Sequence, residues 1–165
     1  MLTNSRTGAL LHEDHMETVA MLQTLEELVG RHRSPPVLDA AARDALAAME
    51  RTIRQEVEKH FSFEENHLFP VFTAQGETGI VMMLTHEHRS ILPLALQVAD
   101  LAAKAVADGF DGASWRDFSD AARELVEREI FHIQKEEMGL LAAISALVDP
   151  ATDECLATAY QGMMS

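Results

Sequence analysis

The chain has 165 residues, of which 47% are hydrophobic and 5% aromatic, and its formal net charge is −14. This length suits one domain with one core, and the negative charge excludes the basic surface that nucleic acids and anionic membranes require. We find no run of about 18 apolar residues, no secretory signal and only one cysteine, so we expect a cytoplasmic protein that neither spans nor binds a membrane.

The first two predicted helices place polar residues on faces that are otherwise apolar. The first runs from about residue 5 to Val29, and its apolar positions recur at alternating spacings of four and three. His15 lies on that face. The second runs from about Pro36 to Phe72, and its inward face includes His60 and Glu64, which are four residues apart and therefore adjacent on a helix.

The third and fourth predicted helices repeat this pattern. The third runs from about Gly79 to Asp108 and has His88 on its inward face. The fourth begins near Ser114, which we predict as its N-cap, and ends near Val148. His132 and Glu136 repeat the spacing of four found in the second helix. The chain therefore contains two similar helix pairs.

A short C-terminal helix is predicted to start at Asp149-Pro150, since this pair suits an N-cap and a first helical position. Four helices of similar length with short connections pack as antiparallel neighbours. We therefore predict an all-α fold, an up-down-up-down antiparallel four-helix bundle with a short C-terminal helix. It forms a single domain over residues 1–165, with its core at 5–148 and a tail at 149–165.

The inward faces together contain six polar residues, which are His15, His60, Glu64, His88, His132 and Glu136. Burying one unpaired carboxylate costs several kcal/mol, so these groups must pair with each other or surround a cation. Direct pairing leaves two imidazoles without partners. A dinuclear site accounts for all six, with two imidazoles on each metal and both glutamates bridging, and these ligands suit iron, manganese or zinc.

The donor set leaves iron, manganese and zinc open as the two metal ions at this site. Two carboxylates leave excess positive charge on an oxidised pair, so an oxo or hydroxo bridge is expected in the oxidised form. Dinuclear sites hold their metals about 3.5–4 Å apart. A small molecule such as dioxygen, peroxide or nitric oxide could therefore contact both ions.

The order of these residues resembles the hemerythrin-like (HHE cation-binding) domain family. The resemblance spans about residues 10–148 and rests on His15, on His60-x-x-x-Glu64 before Leu-Phe-Pro, on Glu87-His88, and on His132-x-x-x-Glu136-Glu137. It implies a non-haem di-iron centre in a four-helix bundle. Activities across the family include oxygen binding, iron or oxygen sensing, nitric-oxide and peroxide chemistry, and repair of iron–sulfur centres.

Two positions depart from the oxygen-carrying members that the chain resembles. Those proteins have a second histidine four residues after the one on the third helix, where this chain has Leu92. They also have an aspartate five residues after the last histidine, where this chain has Glu137. The resemblance therefore does not favour a simple oxygen carrier.

Several alternatives remain open at the level of sequence. His67 shares the predicted face of Glu64 and could coordinate, and Glu64-x-x-His67 with Glu129-x-x-His132 also fits the motif of ferritin-like carboxylate bundles. Glu129 and Glu56 lie one turn from the ligand histidines, so either could accept a ring N–H or form a solvated ion pair. We expect His12, His32 and His86 outside the metal site.

The leading hypothesis is a di-iron protein that binds or reduces a small oxidant. The alternative is a metal- or oxygen-responsive binding module without turnover, and the third is a metal-free helical interaction domain. Turnover of peroxide or nitric oxide distinguishes the first two, and the effect of chelation on melting distinguishes the third. No particular protein partner is indicated.

Overall fold

The computed structural model describes residues 4–165, except for the side chain of Glu56. Every element in this range is helical, and no strand occurs in it. The described elements form five helices, α1 (Arg6–Arg31), α2 (40–74), α3 (Thr78–Asp108), α4 (112–147) and α5 (Pro150–Met164). The predicted all-α fold is therefore confirmed.

Local capping explains where α4 and α5 begin. Asp111 is the N-cap of α4, and its side chain accepts a hydrogen bond from the backbone N–H of Ser114. The Ser114 hydroxyl accepts the backbone N–H of Asp111 in return, which completes a capping box. The predicted N-cap at Ser114 was therefore wrong by three positions, whereas Asp149 caps α5 as expected.

Two of the long helices contain wider π-helical turns. They lie at Ile53–Val57 and Glu64–Leu68 in α2 and at Glu136–Leu140 in α4. A π-helical turn holds one more residue than a regular turn, so the side chains that follow it are rotated about the helix axis. The two inward glutamates each start such a turn, so the residues five positions after them, Phe69 and Leu141, join the buried face.

Two apolar clusters fill the interior, one on either side of the six inward polar residues, which form a polar layer. One contains Leu25, Leu46 and Phe118, and the other contains Phe63 and Tyr160. Along α1 to α4 the polar residues lie between the stretches that form these clusters. The bundle packs α2 against α3, α3 against α4, and α4 against α1, while α5 packs on α1. This packing places the polar layer in the interior.

The helix α3 is long and apolar enough to cross a membrane by length and composition alone, with a mean hydropathy of 1.4 in its most apolar window. Core helices of bundles have the same composition, and α3 buries His88 and Ile91 against its neighbours. Pro93 lies inside this helix, which is continuous from Thr78 to Asp108. Because proline has no backbone N–H to donate to the preceding turn, the sequence predicts a kink at this position.

Candidate metal centre

The structure brings all six predicted residues together in one buried layer. Helix α1 contributes one of them, α2 two, α3 one and α4 two. None is more than 4% exposed to solvent. The members of this layer, called the His/Glu layer below, are His15, His60, Glu64, His88, His132 and Glu136.

Each glutamate of the layer divides its two oxygens between two histidine pairs. Glu136 Oε2 lies 2.8 Å from His15 Nε2, and its Oε1 lies 2.8 Å from His132 Nε2. Glu64 Oε1 lies 3.0 Å from His60 Nε2, and its Oε2 lies 3.2 Å from Nε2 of the fourth histidine, residue 88. The donors thus form two adjacent groups of four, and within each group all atoms lie within 4.8 Å of one another.

Several of these atoms meet without hydrogen-bond geometry. Glu64 Oε2 and Glu136 Oε1 have no hydrogen-bond partner among the described residues, although imidazole nitrogens lie close to both. Buried carboxylate oxygens are normally satisfied, and these two face the centre of the layer. Imidazole with carboxylate is a donor set that suits iron, manganese and zinc. The residues therefore fit a pair of such cations.

A second ring of carboxylates surrounds the four histidines. Each imidazole presents Nε2 to the inside of the layer and Nδ1 to a carboxylate from a neighbouring helix. The Nδ1 to oxygen distances are 2.5 Å for His15 to Glu137, 2.9 Å for His60 to Asp14, 2.9 Å for His88 to Glu65, and 2.8 Å for His132 to Glu87. Because an ionised carboxylate only accepts, Nδ1 is the donor, and Nε2 is the nitrogen that faces inward and is left to bind a proton or a metal.

The carboxylate ring closes on itself around the bundle. Each helix supplies a carboxylate that accepts a hydrogen bond from the histidine of the next helix around the bundle. The pairs are Asp14 with His60, Glu65 with His88, Glu87 with His132, and Glu137 with His15. Each of these carboxylates also stands next in sequence to a member of the His/Glu layer on its own helix. Sequence reasoning did not assign these roles, but the adjacent acidic residue on every helix was the available signal.

One member of this ring is supported from the C-terminal helix. The hydroxyl of Tyr160 donates a hydrogen bond to Asp14, and both residues are buried, at 6% and 7% exposure. Asp153 of the same helix accepts hydrogen bonds from Ser5 Oγ at 2.7 Å and from the backbone N–H of Arg6 at 2.8 Å. Helix α5 is therefore attached both to the start of α1 and, through Tyr160, to the layer.

The electrostatics of the layer favour cations. Burial lowers the pKa of each of these histidines, but the surrounding carboxylates outweigh it and raise the pKa of His88 to about 10 and of His132 to about 9. The pKa values of His15 and His60 are also raised. Burial raises the pKa of Glu136, but the nearby histidines outweigh it and hold that pKa well below its usual range. Without metal, protonated imidazoles would therefore neutralise the charge of these carboxylates.

The alternatives from the sequence fare differently. His67 is exposed and packs on Phe63, with ring centroids 5.7 Å apart, because the π-helical turn rotates it away from the layer. The ferritin-like interpretation, which needs His67, was therefore wrong. Three other histidines, which are His12, His32 and His86, are exposed and lie outside the His/Glu layer, as expected. His12 also contacts the carboxylate ring, since its Nδ1 lies 2.9 Å from Glu137.

The two acidic candidates beside the ligand histidines were Glu129 and Glu56, and the structure describes the side chain of Glu129. Glu129 is 4% exposed, and neither ring nitrogen of His132 is hydrogen-bonded to it. The sequence led us to expect that Glu129 either accepts the ring N–H or forms a solvated ion pair. The structure shows neither role. The side chain of Glu56 lies outside the described residues.

Comparison with known protein families gives a match over most of the chain. The family described as Hemerythrin HHE cation binding domain matches residues 7–144. This range includes the whole His/Glu layer and ends before α5. A search of curated proteins found no match.

Proposed function

Because the chain belongs to the hemerythrin HHE cation-binding family, we propose that it is a non-haem di-iron protein that binds or reduces dioxygen, peroxide or nitric oxide. In this proposal His15 and His60 would hold one ion and His88 and His132 the other, and Glu64 and Glu136 would each offer one oxygen to either ion. The observation that supports it most is the division of each carboxylate between the two histidine pairs.

Two iron ions, when bound, supply one-electron chemistry and open coordination positions for a small molecule. The chain supplies the geometry. Phe61 stacks on His88 with ring centroids 3.8 Å apart and nearly parallel planes, which fixes the orientation of that imidazole. The carboxylate ring fixes Nδ1 of every histidine, and the two apolar clusters keep bulk water out of the layer. Manganese and zinc suit the same donors and are alternatives to iron.

Iron loading tests this proposal. We expect the purified chain to bind two ferrous ions anaerobically and, on exposure to air, to develop the absorbance bands of an oxo-bridged diferric centre. His60→Ala and His132→Ala each remove one ligand from a different pair, so both should abolish these bands. A wild-type chain that binds fewer than two ions would contradict the proposal.

The alternative function is a metal- or oxygen-responsive module without turnover. It is supported by the hydrogen bond from Tyr160 to Asp14, because Asp14 also contacts His60 and so links the His/Glu layer to the C-terminal helix. Under this alternative, loading of the site changes how α5 packs and hence a contact with a partner protein. Assays with peroxide and nitric oxide separate the two, since a loaded chain without turnover favours the sensing role.

We also infer that α1 to α4 run up, down, up and down, because residue numbers run in opposite directions along helices that contact each other. Between α2 and α3, Arg43 donates to the carbonyl of Val106, and Arg54 lies 2.6 Å from Asp100. Between α1 and α4, His15 contacts Glu136, and Arg123 donates to the carbonyl of Val29. In both pairs the residue numbers rise on one helix as they fall on the other, as antiparallel packing requires. Ile80 lies beside Gly139 and His88 faces His132, so α3 and α4 are antiparallel as well, and the three pairs together support the up-down-up-down order.

We propose further that residues 1–165 act as one domain in the cytoplasm, without a nucleic-acid or membrane partner. The net charge of −14 supports the absence of polyanionic partners. The single cysteine, Cys155, is free and exposed, which suits a reducing compartment.

A further inference from the structure

His12 contacts the carboxylate ring from the surface of α1. Its Nδ1 lies 3.0 Å and 2.9 Å from the two oxygens of Glu137, and the same carboxylate contacts Nδ1 of His15 at 2.5 Å. The exposed fraction of the side chain falls from 48% for His12 to 25% for Glu137 and 4% for His15. These three residues therefore form a continuous series of metal-binding groups from solvent to the His/Glu layer.

The series continues into the layer through the ring of His15. Nδ1 of this ring contacts Glu137, and its Nε2 lies 2.8 Å from Oε2 of Glu136. The two glutamates are consecutive on α4, yet Glu136 is buried and Glu137 is half-buried. A cation held between His12 and Glu137 would therefore be separated from the layer by one imidazole ring.

The other three carboxylates of the ring offer no comparable approach to a cation. Glu87 already binds Lys135, whose positive charge opposes a second cation. Asp14 is buried and accepts a hydrogen bond from Tyr160. Glu65 is exposed, but among the described residues it is hydrogen-bonded only to the layer histidine that it holds, so it offers a cation one protein ligand.

We propose that His12 and Glu137 form an entry site, at which a divalent transition-metal ion binds first and from which it passes to the His/Glu layer. The inference rests on the proposed metal centre and deepens it. Imidazole with carboxylate suits such ions, and the net charge of −14 attracts them to the surface. Two protein ligands hold a cation less tightly than the four donors of each group in the layer, so transfer inward is favourable.

Uptake and release of Co²⁺ by the full chain test the inference, since Co²⁺ lies next to Fe²⁺ in the order of binding strength. Stopped-flow absorbance follows uptake, because the visible spectrum of Co²⁺ changes when protein donors replace water. Excess EDTA then gives the release rate. His12→Arg can still hydrogen-bond Glu137 but places a fixed positive charge at the entry site, so both rates should fall about tenfold. Their ratio, the dissociation constant, should stay unchanged because ions enter and leave by the same route.

A carboxylate at the same position distinguishes an entry site from mere support of Glu137. His12→Asp cannot donate a hydrogen bond to Glu137 but can bind a cation, so its uptake rate should stay close to wild type. The matched control is His32→Arg, at an exposed position that follows the last residue of α1. It makes the same change in net charge and should leave both rates unchanged.

Three results would overturn the inference. Wild-type uptake in His12→Arg would show that ions enter elsewhere. Slow uptake in His12→Asp, or weaker metal binding with an unchanged uptake rate in either variant, would show that His12 only positions Glu137. Each of these results would leave the di-iron proposal intact, whereas a wild-type chain that binds neither Co²⁺ nor Fe²⁺ would overturn both.

Discussion

Nε2 of His88 faces Nε2 of His132 at 3.2 Å in the centre of the bundle. If both nitrogens carried a proton, two N–H groups would oppose each other, and if neither did, two lone pairs would. The contact is favourable only with one proton or one cation between the two rings. Since Nδ1 of each ring is held by its own carboxylate, neither ring can turn away without losing that bond.

Proton release on metal binding follows from this arrangement. The raised pKa values of the four layer histidines indicate that imidazolium ions neutralise the carboxylates at pH 7 when metal is absent. Because the facing His88 and His132 share one proton, we expect about three protons to leave as two divalent ions bind. Calorimetric titration in buffers of different ionisation enthalpy measures this number, and release of fewer than two protons would contradict the assignment.

The metal-free chain should lose stability as the pH rises. A histidine whose pKa is raised by folding stabilises the native state below its unfolded value near 6.5, and this contribution disappears as the pH passes its folded pKa. With His88 at about 10 and His132 at about 9, the loss should fall between pH 6.5 and 10. The slope should be at most about 1.4 kcal/mol per pH unit for each proton.

Urea denaturation at several pH values measures this effect. The loaded chain is the control, because its imidazoles hold metal rather than protons in the same range. We expect its stability to vary much less between pH 6.5 and 10. Parallel pH profiles for the two forms would contradict the prediction.

Removing the hydroxyl of Tyr160 should weaken one metal position more than the other. Tyr160 holds Asp14, which holds His60, and mutation of such outer partners typically costs about 10–100-fold in metal affinity. In Tyr160→Phe we expect the step assigned to the His15 and His60 pair to weaken about tenfold, with the other step unchanged. Anaerobic ferrous titration resolves the two steps, and equal weakening of both would indicate a general loss of packing instead.

The carboxylate ring should show graded effects that follow burial. The exposed fraction of the side chain is 10% for Asp14, 18% for Glu87 and 39% for Glu65. Water can replace an exposed carboxylate more easily than a buried one, so the loss of metal affinity should decrease in the order Asp14→Asn, Glu87→Gln, Glu65→Gln. The same titration measures it, and a reversed order would show that burial does not govern the ring.

The inward faces of the helices were predictable as far as the two glutamates. Regular spacing identified His15 and His132 because α1 and the first part of α4 keep the ordinary helical period. It also identified His60, which lies in the regular segment Glu58–Phe63 between the two π-helical turns of α2. Beyond Glu64 and Glu136 the π-helical turns shift the register, so the residues five positions on, Phe69 and Leu141, are also buried, at 3% and 7% exposure. No feature of a single sequence reveals such turns, and His67 was therefore placed on the wrong face.

The outer carboxylates were not predictable from periodicity for a different reason. Glu65, Glu87 and Glu137 are partly exposed and lie beside the inward faces, so any helix-face argument treats them as solvated. Their role depends on reaching a histidine of another helix. The contribution of Tyr160 requires the docking of α5 on α1, which no local signal indicates.

X-ray absorption at the iron edge tests the central claim most directly, because it measures the neighbours of each ion. For the chain loaded with ferrous iron and oxidised in air, we predict imidazole nitrogens and carboxylate oxygens around each ion and a second iron at about 3.5 Å or slightly less. Iron with no metal neighbour, or with oxygen ligands alone, would contradict the paired site in the His/Glu layer.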